Sequence, residues 1–134
     1  MGTNGAAQVK KGVVSSVNPE NASVRVTFED ADDNVSAELP LLNRGSSGNK
    51  DYWLPDIGEQ VVCLFETNDK NTSSGWVVGS YFSDGAKPQV QDKDVRRLTF
   101  SDGSYIEHNR SSHEMTIKCV GHLQITGAKV DINL

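Results

Sequence analysis

Short runs of alternating apolar and polar residues, separated by glycine, proline and asparagine, recur along almost the whole chain. An alternation with a period of two is typical of a half-buried β-strand, and no stretch shows the 3.6-residue period of an amphipathic helix. The 12 glycines lie mostly between the apolar runs, at places where the chain can turn. The sequence therefore predicts an all-β protein with many short strands.

The first two runs predict a β-hairpin. "GVVSSV" and "SVRVTF" flank an Asn-Pro turn, and the second run places Val24, Val26 and Phe28 on one face. The acidic stretch "EDADDN" that follows lacks the spacing of a calcium loop, so we interpret it as a solvated turn. A third strand, "VSAELPLL", is predicted over residues 35–42.

The fourth and fifth runs complete a compact set of strands within residues 9–86. "EQVVCLFE" directs Val61, Cys63 and Phe65 to one side and is apolar on both faces, which favours a central strand. "GWVVGSYF" predicts the fifth strand, with Trp76 and Val78 facing inward. Five strands in about 75 residues fit a small closed barrel of the OB type. An unrelated five-stranded barrel or an open sandwich fits the periodicity nearly as well.

The last forty residues differ in kind from the barrel. After a flexible N-terminus (1–8), the barrel (9–86) and a polar linker (87–94), residues 95–134 form a narrow ribbon of alternating strands broken by turn residues. A narrow ribbon cannot bury its apolar face alone, so it either folds back on the barrel or meets copies of itself. Because the alternation continues up to the last residue, association with other copies of the chain is favoured over folding back on the barrel. Three copies could close into a triangular prism. The predicted trimer core consists of Leu98, Phe100, Met115, Ile117, Leu123, Ile125, Val130, Ile132 and Leu134.

Charge and composition limit the partners and the location that the sequence predicts. A net charge of -5, from 18 acidic and 13 basic residues, gives no basic field for a nucleic acid. No apolar run reaches the length of a membrane span, and the first residues lack the apolar core of a secretory signal, which predicts synthesis in the cytosol. Cys63 and Cys119 each lie within an apolar alternation, which predicts two buried, reduced thiols.

No residue pattern predicts an enzyme. Ser112, His113 and Glu114 are consecutive, so in a strand their side chains would alternate between faces and could not form a triad. Tyr52 and Trp53 lie beside a flexible Gly/Ser loop and could stack on a sugar ring, although packing at a subunit contact is favoured. An OB-fold module that recognises an oligosaccharide or a partner protein is therefore the alternative function.

Several of these segments together resemble a known family. "GVVSSVNP", "YWLPDIGEQVVCLF", "GWVVGSYFSDG" and "LTFSDGSYIEHN" follow one another in the order found in the phage baseplate assembly protein V family. The resemblance covers about residues 11–134, and its most specific part is "LPDIGEQV" followed by "GWVVGSYF" and "DGS". The valine-glycine repeat spike proteins of type VI secretion are more distant relatives of that family.

The resemblance implies a fold, a function and a set of partners. It implies an OB-fold domain followed by a trimeric β-prism or β-helical needle that forms the membrane-piercing tip of a contractile tail or tail-like injection particle. The implied partners are the baseplate hub and tail tube proteins, a separate tip-capping protein and the target cell envelope. The implied location is the virion tail, with assembly in the bacterial cytoplasm. Residues with a structural role in the barrel and its loops would be Trp53, Pro55, Gly58, Val61, Phe65, Trp76 and Gly79.

One feature of longer spikes in that family is missing from this chain. Those spikes often end in a His-x-His pair that binds an iron ion on the three-fold axis. Here His108, His113 and His122 are the only histidines, and no two of them are separated by one residue. We therefore predict no cofactor and no metal; a three-fold cluster of one histidine around an axial ion is the less favoured alternative.

Overall fold

The computed structural model describes residues 7–28, 34–66 and 74–133 of the 134-residue chain, which divides into two units, Met1–Lys87 and Pro88–Leu134. The described residues contain nine strands and no helix, which confirms the all-β prediction. In this part of the chain no helix has the length and apolar character needed to cross a bilayer. The strands are β1 Gln8–Asn18, β2 Ser23–Phe28, β3 Asn34–Val35, β4 Leu39–Pro40, β5 Gln60–Phe65, β6 Gly75–Ser80, β7 Val95–Thr99, β8 Tyr105–Asn109 and β9 Glu114–Lys118.

The first unit is one antiparallel sheet that closes on itself. Its strands lie in the order β3-β2-β1-β5-β6, and β4 pairs with β2. Directly after β4, Leu41 forms a parallel bridge with Val77 of β6, and the Leu42 N–H donates to the Val77 carbonyl at 3.0 Å. The chain thus links β2 to β6 and completes a small barrel of the OB type.

The predicted third strand over residues 35–42 is divided into β3 and β4. The cause is Ser36, which is buried and whose hydroxyl accepts a hydrogen bond from the Val26 N–H at 3.0 Å. A side-chain oxygen therefore takes the place of a backbone carbonyl, and the regular ladder is interrupted. The predicted acidic turn falls largely on residues 29–33, and the predicted flexible N-terminus largely on residues 1–6, both outside the described residues. Gln8, the last residue of that N-terminus, begins β1.

The barrel core confirms the faces predicted for β2 and β5. The Phe28 and Phe65 rings meet edge to face, with centroids 5.9 Å apart, and β5 is central between β1 and β6 as predicted. Burial raises the pKa of the Cys63 thiol to about 11, so this cysteine is protonated and unreactive at neutral pH. The buried core consists of Val14, Val24, Val26, Phe28, Leu39, Leu41, Val61, Cys63, Phe65 and Val77.

The inward face predicted for the fifth strand is wrong. Val77 is buried, whereas Trp76 is half-buried and Val78 is exposed. Three consecutive apolar residues cannot reveal which of them faces inward, and the choice is set by Gly75 instead. A Cβ atom at Gly75 would lie 2.4 Å from a ring atom of Phe65, so only glycine fits beneath that ring.

The second unit contains a three-stranded antiparallel sheet in the order β7-β8-β9. The Gly103 N–H donates to the Phe100 carbonyl at 3.0 Å, which confirms the predicted turn at Asp102-Gly103. Residues 119–133 form no strand within the single chain, although the alternation predicts two further strands there. A strand needs a neighbouring backbone to pair with, and the described part of the same chain supplies none.

Candidate functional site

The sheet of the second unit has one apolar face, which the strand register assembles row by row. Leu98 of β7, Ile106 of β8 and Ile117 of β9 lie directly opposite one another and form one row. Residues opposite one another in antiparallel strands share a face, so the next row on the same face continues with Met115 of β9. We call Leu98, Ile106, Met115 and Ile117 the open apolar face.

The opposite face of the same sheet is polar and satisfied within the chain. The Arg97 guanidinium pairs with the Glu107 carboxylate at 3.1 Å and lies 3.7 Å from the centroid of the Tyr105 ring. Its Nε also donates to the Thr99 hydroxyl at 3.1 Å. These contacts leave Arg97 and Glu107 mostly covered, with side-chain exposures of 22% and 25%. The charges of Arg97 and Glu107 on the polar face are therefore paired, whereas the side chains of the open apolar face are exposed in the described part of the chain.

The open apolar face is exposed to solvent in the single chain. The exposed fractions are 57% for Leu98, 42% for Ile106, 68% for Met115 and 60% for Ile117. Single exposed apolar side chains are common, but a contiguous apolar surface across three strands is typical of an interaction site. Phe100, in the adjoining turn, is exposed as well.

The structure brings together three of the predicted core residues and adds one that the sequence analysis missed. Leu98, Met115 and Ile117 lie on one face of the sheet, and Ile106 lies between Leu98 and Ile117. The signal for Ile106 was present in "SYIEHN", because its position in the hairpin after Asp102-Gly103 determines which residue it faces.

The remaining predicted core residues lie beyond the sheet. Leu123, Ile125, Val130 and Ile132 are all exposed and belong to a segment, residues 121–133, that forms no backbone hydrogen bond to other described residues. Leu134 lies outside the described residues. Cys119, predicted to be buried, is also exposed in the single chain.

The conspicuous segment before β5 is a structural loop of the barrel. Trp53 packs against the core and Pro55 is buried. Gly58 has a φ of 91°, a conformation that favours glycine, and its N–H donates to the Val14 carbonyl at 2.8 Å. The Glu59 carboxylate accepts hydrogen bonds from the Asp56 N–H at 3.0 Å and from the Ser80 hydroxyl. This loop is therefore held to both β1 and β6.

The other predicted barrel residues have distinct environments. Val61 and Phe65 are fully buried in the core, and Trp76 is half-buried on β6. Gly79 has no described atom within 4 Å of the place where a Cβ would stand, so this position has room for a side chain. The glycine of β6 that the packing requires is Gly75.

The two aromatic residues considered for sugar stacking differ in exposure. Trp53 is turned toward the core, whereas Tyr52 is exposed and its hydroxyl donates to the Pro19 carbonyl at 3.3 Å. They do not form a shared aromatic platform. Among the described residues no group of three histidine, cysteine or acidic side chains is arranged to hold a metal. His113 lies in the turn before β9 and has a φ of 63°.

Two comparisons relate this chain to known proteins. Residues 10–82, just over half of the chain and most of the barrel unit, match the family described as the type VI secretion system/phage-baseplate injector OB domain. A curated relative, the spike protein of Escherichia phage P2, is 26% identical over 90 residues, which cover 67% of this chain and 42% of the relative. The chain thus spans less than half the length of that relative. The family match ends before β7 begins.

Proposed function

Because the chain belongs to the type VI secretion system/phage-baseplate injector OB domain family, we propose that it is a structural spike protein of a contractile phage tail or tail-like injection particle. The barrel unit, over which the family match extends, would attach the protein to its baseplate neighbours. The second unit would form the part that meets the target envelope. In this role the protein acts by rigidity, without catalysis.

In this role, three copies associate through the open apolar face and the segment after it. The observation that carries this step is the row Leu98, Ile106 and Ile117, which is uncovered while the opposite face of the same sheet is satisfied. A face of this kind on a three-stranded sheet needs another layer to cover it. The resemblance to baseplate spike proteins favours three copies over two.

The exposed segment after β9 supports association by the same argument. Leu123, Ile125, Val130 and Ile132 alternate with polar residues, as in a half-buried strand, yet they have no strand partner in the single chain. Neighbouring copies would supply both the backbone partners and the apolar cover. A hub protein, the tail tube and a tip-capping protein remain proposed partners on the basis of the family alone.

The mass of the full chain in solution tests this proposal. Sedimentation or light scattering should give about three times 14.6 kDa, and the particle should resist SDS or melt at high temperature, because interchain burial adds to the stability of each chain. A well-folded particle of 14.6 kDa at every concentration would contradict it.

A matched pair of variants locates the contact. Ile106→Lys places one positive charge per copy, three in all, into the proposed interface and should reduce the mass toward that of one chain. Thr116→Lys makes the same kind of change on the polar face of the same sheet and should leave the mass unchanged. An equal effect of both variants, or of neither, would place the contact elsewhere.

A further inference from the structure

The open apolar face has a histidine at its border. His108 of β8 lies directly between Arg96 of β7 and Met115 of β9, in the row next to Leu98, Ile106 and Ile117. By the alternation of the strands, His108 and Arg96 point to the same side of the sheet as those apolar residues. Both are exposed in the single chain.

Among the described residues, no unpaired carboxylate faces His108 on this side of the sheet. The strand β7 contributes Arg96, and β9 contributes Met115, which is uncharged. Next to β7 in the chain, the Asp94 carboxylate is paired with the Arg110 guanidinium at 2.7 Å. His113, in the turn before β9, is the other titratable group near this end of the sheet. Glu107 and Glu114 alternate to the polar side of the sheet.

We propose that His108 makes the association between copies sensitive to acid. This inference rests on the proposed function, because it requires that association covers the open apolar face. At neutral pH an uncharged imidazole can pack beside Met115 and Ile106. Once protonated, it places a second cation next to Arg96 at a surface that association removes from water, and the described residues of the same chain place no unpaired carboxylate on that face to compensate it.

The direction of the effect follows from proton linkage. The separated chain accepts the proton on His108 more readily than the assembly does, so association takes place with the proton released. The contribution is therefore complete above the range in which histidine changes its charge, about pH 5 to 8, and is lost as the pH falls through that range. Acid would therefore weaken the assembly.

A dilution series followed by sedimentation, at about pH 7.5 and about pH 5, tests the proposal. We expect the wild-type full chain to associate about tenfold or more weakly at the lower pH. His108→Gln, which keeps a polar side chain but cannot titrate, should lose most of this pH dependence. The control variant His113→Asn changes the histidine in the turn before β9, whose φ of 63° asparagine tolerates, and should keep the pH dependence. If dilution separates no chains, the urea midpoint of dissociation replaces the dilution series.

The results distinguish this inference from the proposed function. An assembly of equal strength at both pH values, or the same acid sensitivity in His108→Gln as in the wild type, would overturn the role of His108 and leave the spike proposal intact. A single-chain mass at about pH 7.5 would instead overturn the proposed association, and this inference with it. Arg96→Gln should weaken the acid response in part, because it removes the cation beside His108.

Discussion

The two units of this chain use the same sequence pattern with opposite results. In β5 the alternation buries Val61, Cys63 and Phe65 completely, whereas in β9 every residue is exposed, including Met115 and Ile117. The difference lies in the number of strands and in closure, because a sheet that curves into a barrel covers its own inner face and a three-stranded sheet does not. Alternation alone therefore predicts that a face is buried without telling which chain covers it.

Truncation of a side chain in the closed barrel core should have the largest effect on stability. Phe65→Ala should destabilise the barrel by about 3–5 kcal/mol, because it leaves a cavity beside Phe28 in a closed core. Met115→Ala, in a side chain that is 68% exposed in the single chain, should cost the separated chain less than about 0.5 kcal/mol. Urea unfolding under dissociating conditions measures both values. Similar losses for the two variants would show that the second unit hides its apolar face within one chain.

A smaller effect is expected from two glycines of the same strand. Gly75→Ala should cost about 1–3 kcal/mol, because its Cβ would lie 2.4 Å from the Phe65 ring and 2.5 Å from the Leu64 carbonyl oxygen. Gly79→Ala meets nothing within 4 Å and should be neutral or stabilising by a few tenths of a kcal/mol. Thermal or urea unfolding of the two variants compares them directly. Equal destabilisation by both would contradict the close packing of Gly75 beneath Phe65.

The smallest effect concerns a turn of the second unit. The Asp102 carboxylate accepts hydrogen bonds from Ser104, which lowers its pKa below the usual range of an aspartate. Because the pKa is lowered in the folded state, the ionised carboxylate stabilises the turn when the pH is above the pKa of an ordinary aspartate. This stabilisation is lost as the pH falls through the lowered pKa of Asp102. An NMR titration of the Asp102 carboxyl carbon should give a midpoint below that of aspartate in a peptide. A midpoint at or above the peptide value would exclude these hydrogen bonds.

The sequence predicted those parts of the fold that local chemistry determines. The faces of β2 and β5 followed from clean alternation, and the turn at Asp102-Gly103 followed from its residue types. The face of β6 could not be predicted, because Trp76, Val77 and Val78 are all apolar and the packing of Phe65 over Gly75 decides among them.

Features that depend on distant parts of the chain were also beyond the sequence. The division of the third strand depends on Ser36 bonding to Val26, ten residues away. The candidate site is different, because the apolar character of β7 and β9 was readable and the Asp102-Gly103 hairpin already implied the register that places Ile106 opposite Leu98. The sequence alone also could not show that Trp53 is turned toward the core.

The closure between Leu41 and Val77 has a mechanical consequence. These residues join β4 to β6 through one parallel bridge and the hydrogen bond from Leu42, whereas β1 and β5 are paired over six consecutive residues from Gln8 to Val13. A closed ring under tension yields first where the fewest bonds cross. If the proposed spike role puts the barrel under load, we expect the ring to open at this seam and the long β1–β5 pairing to hold its shape.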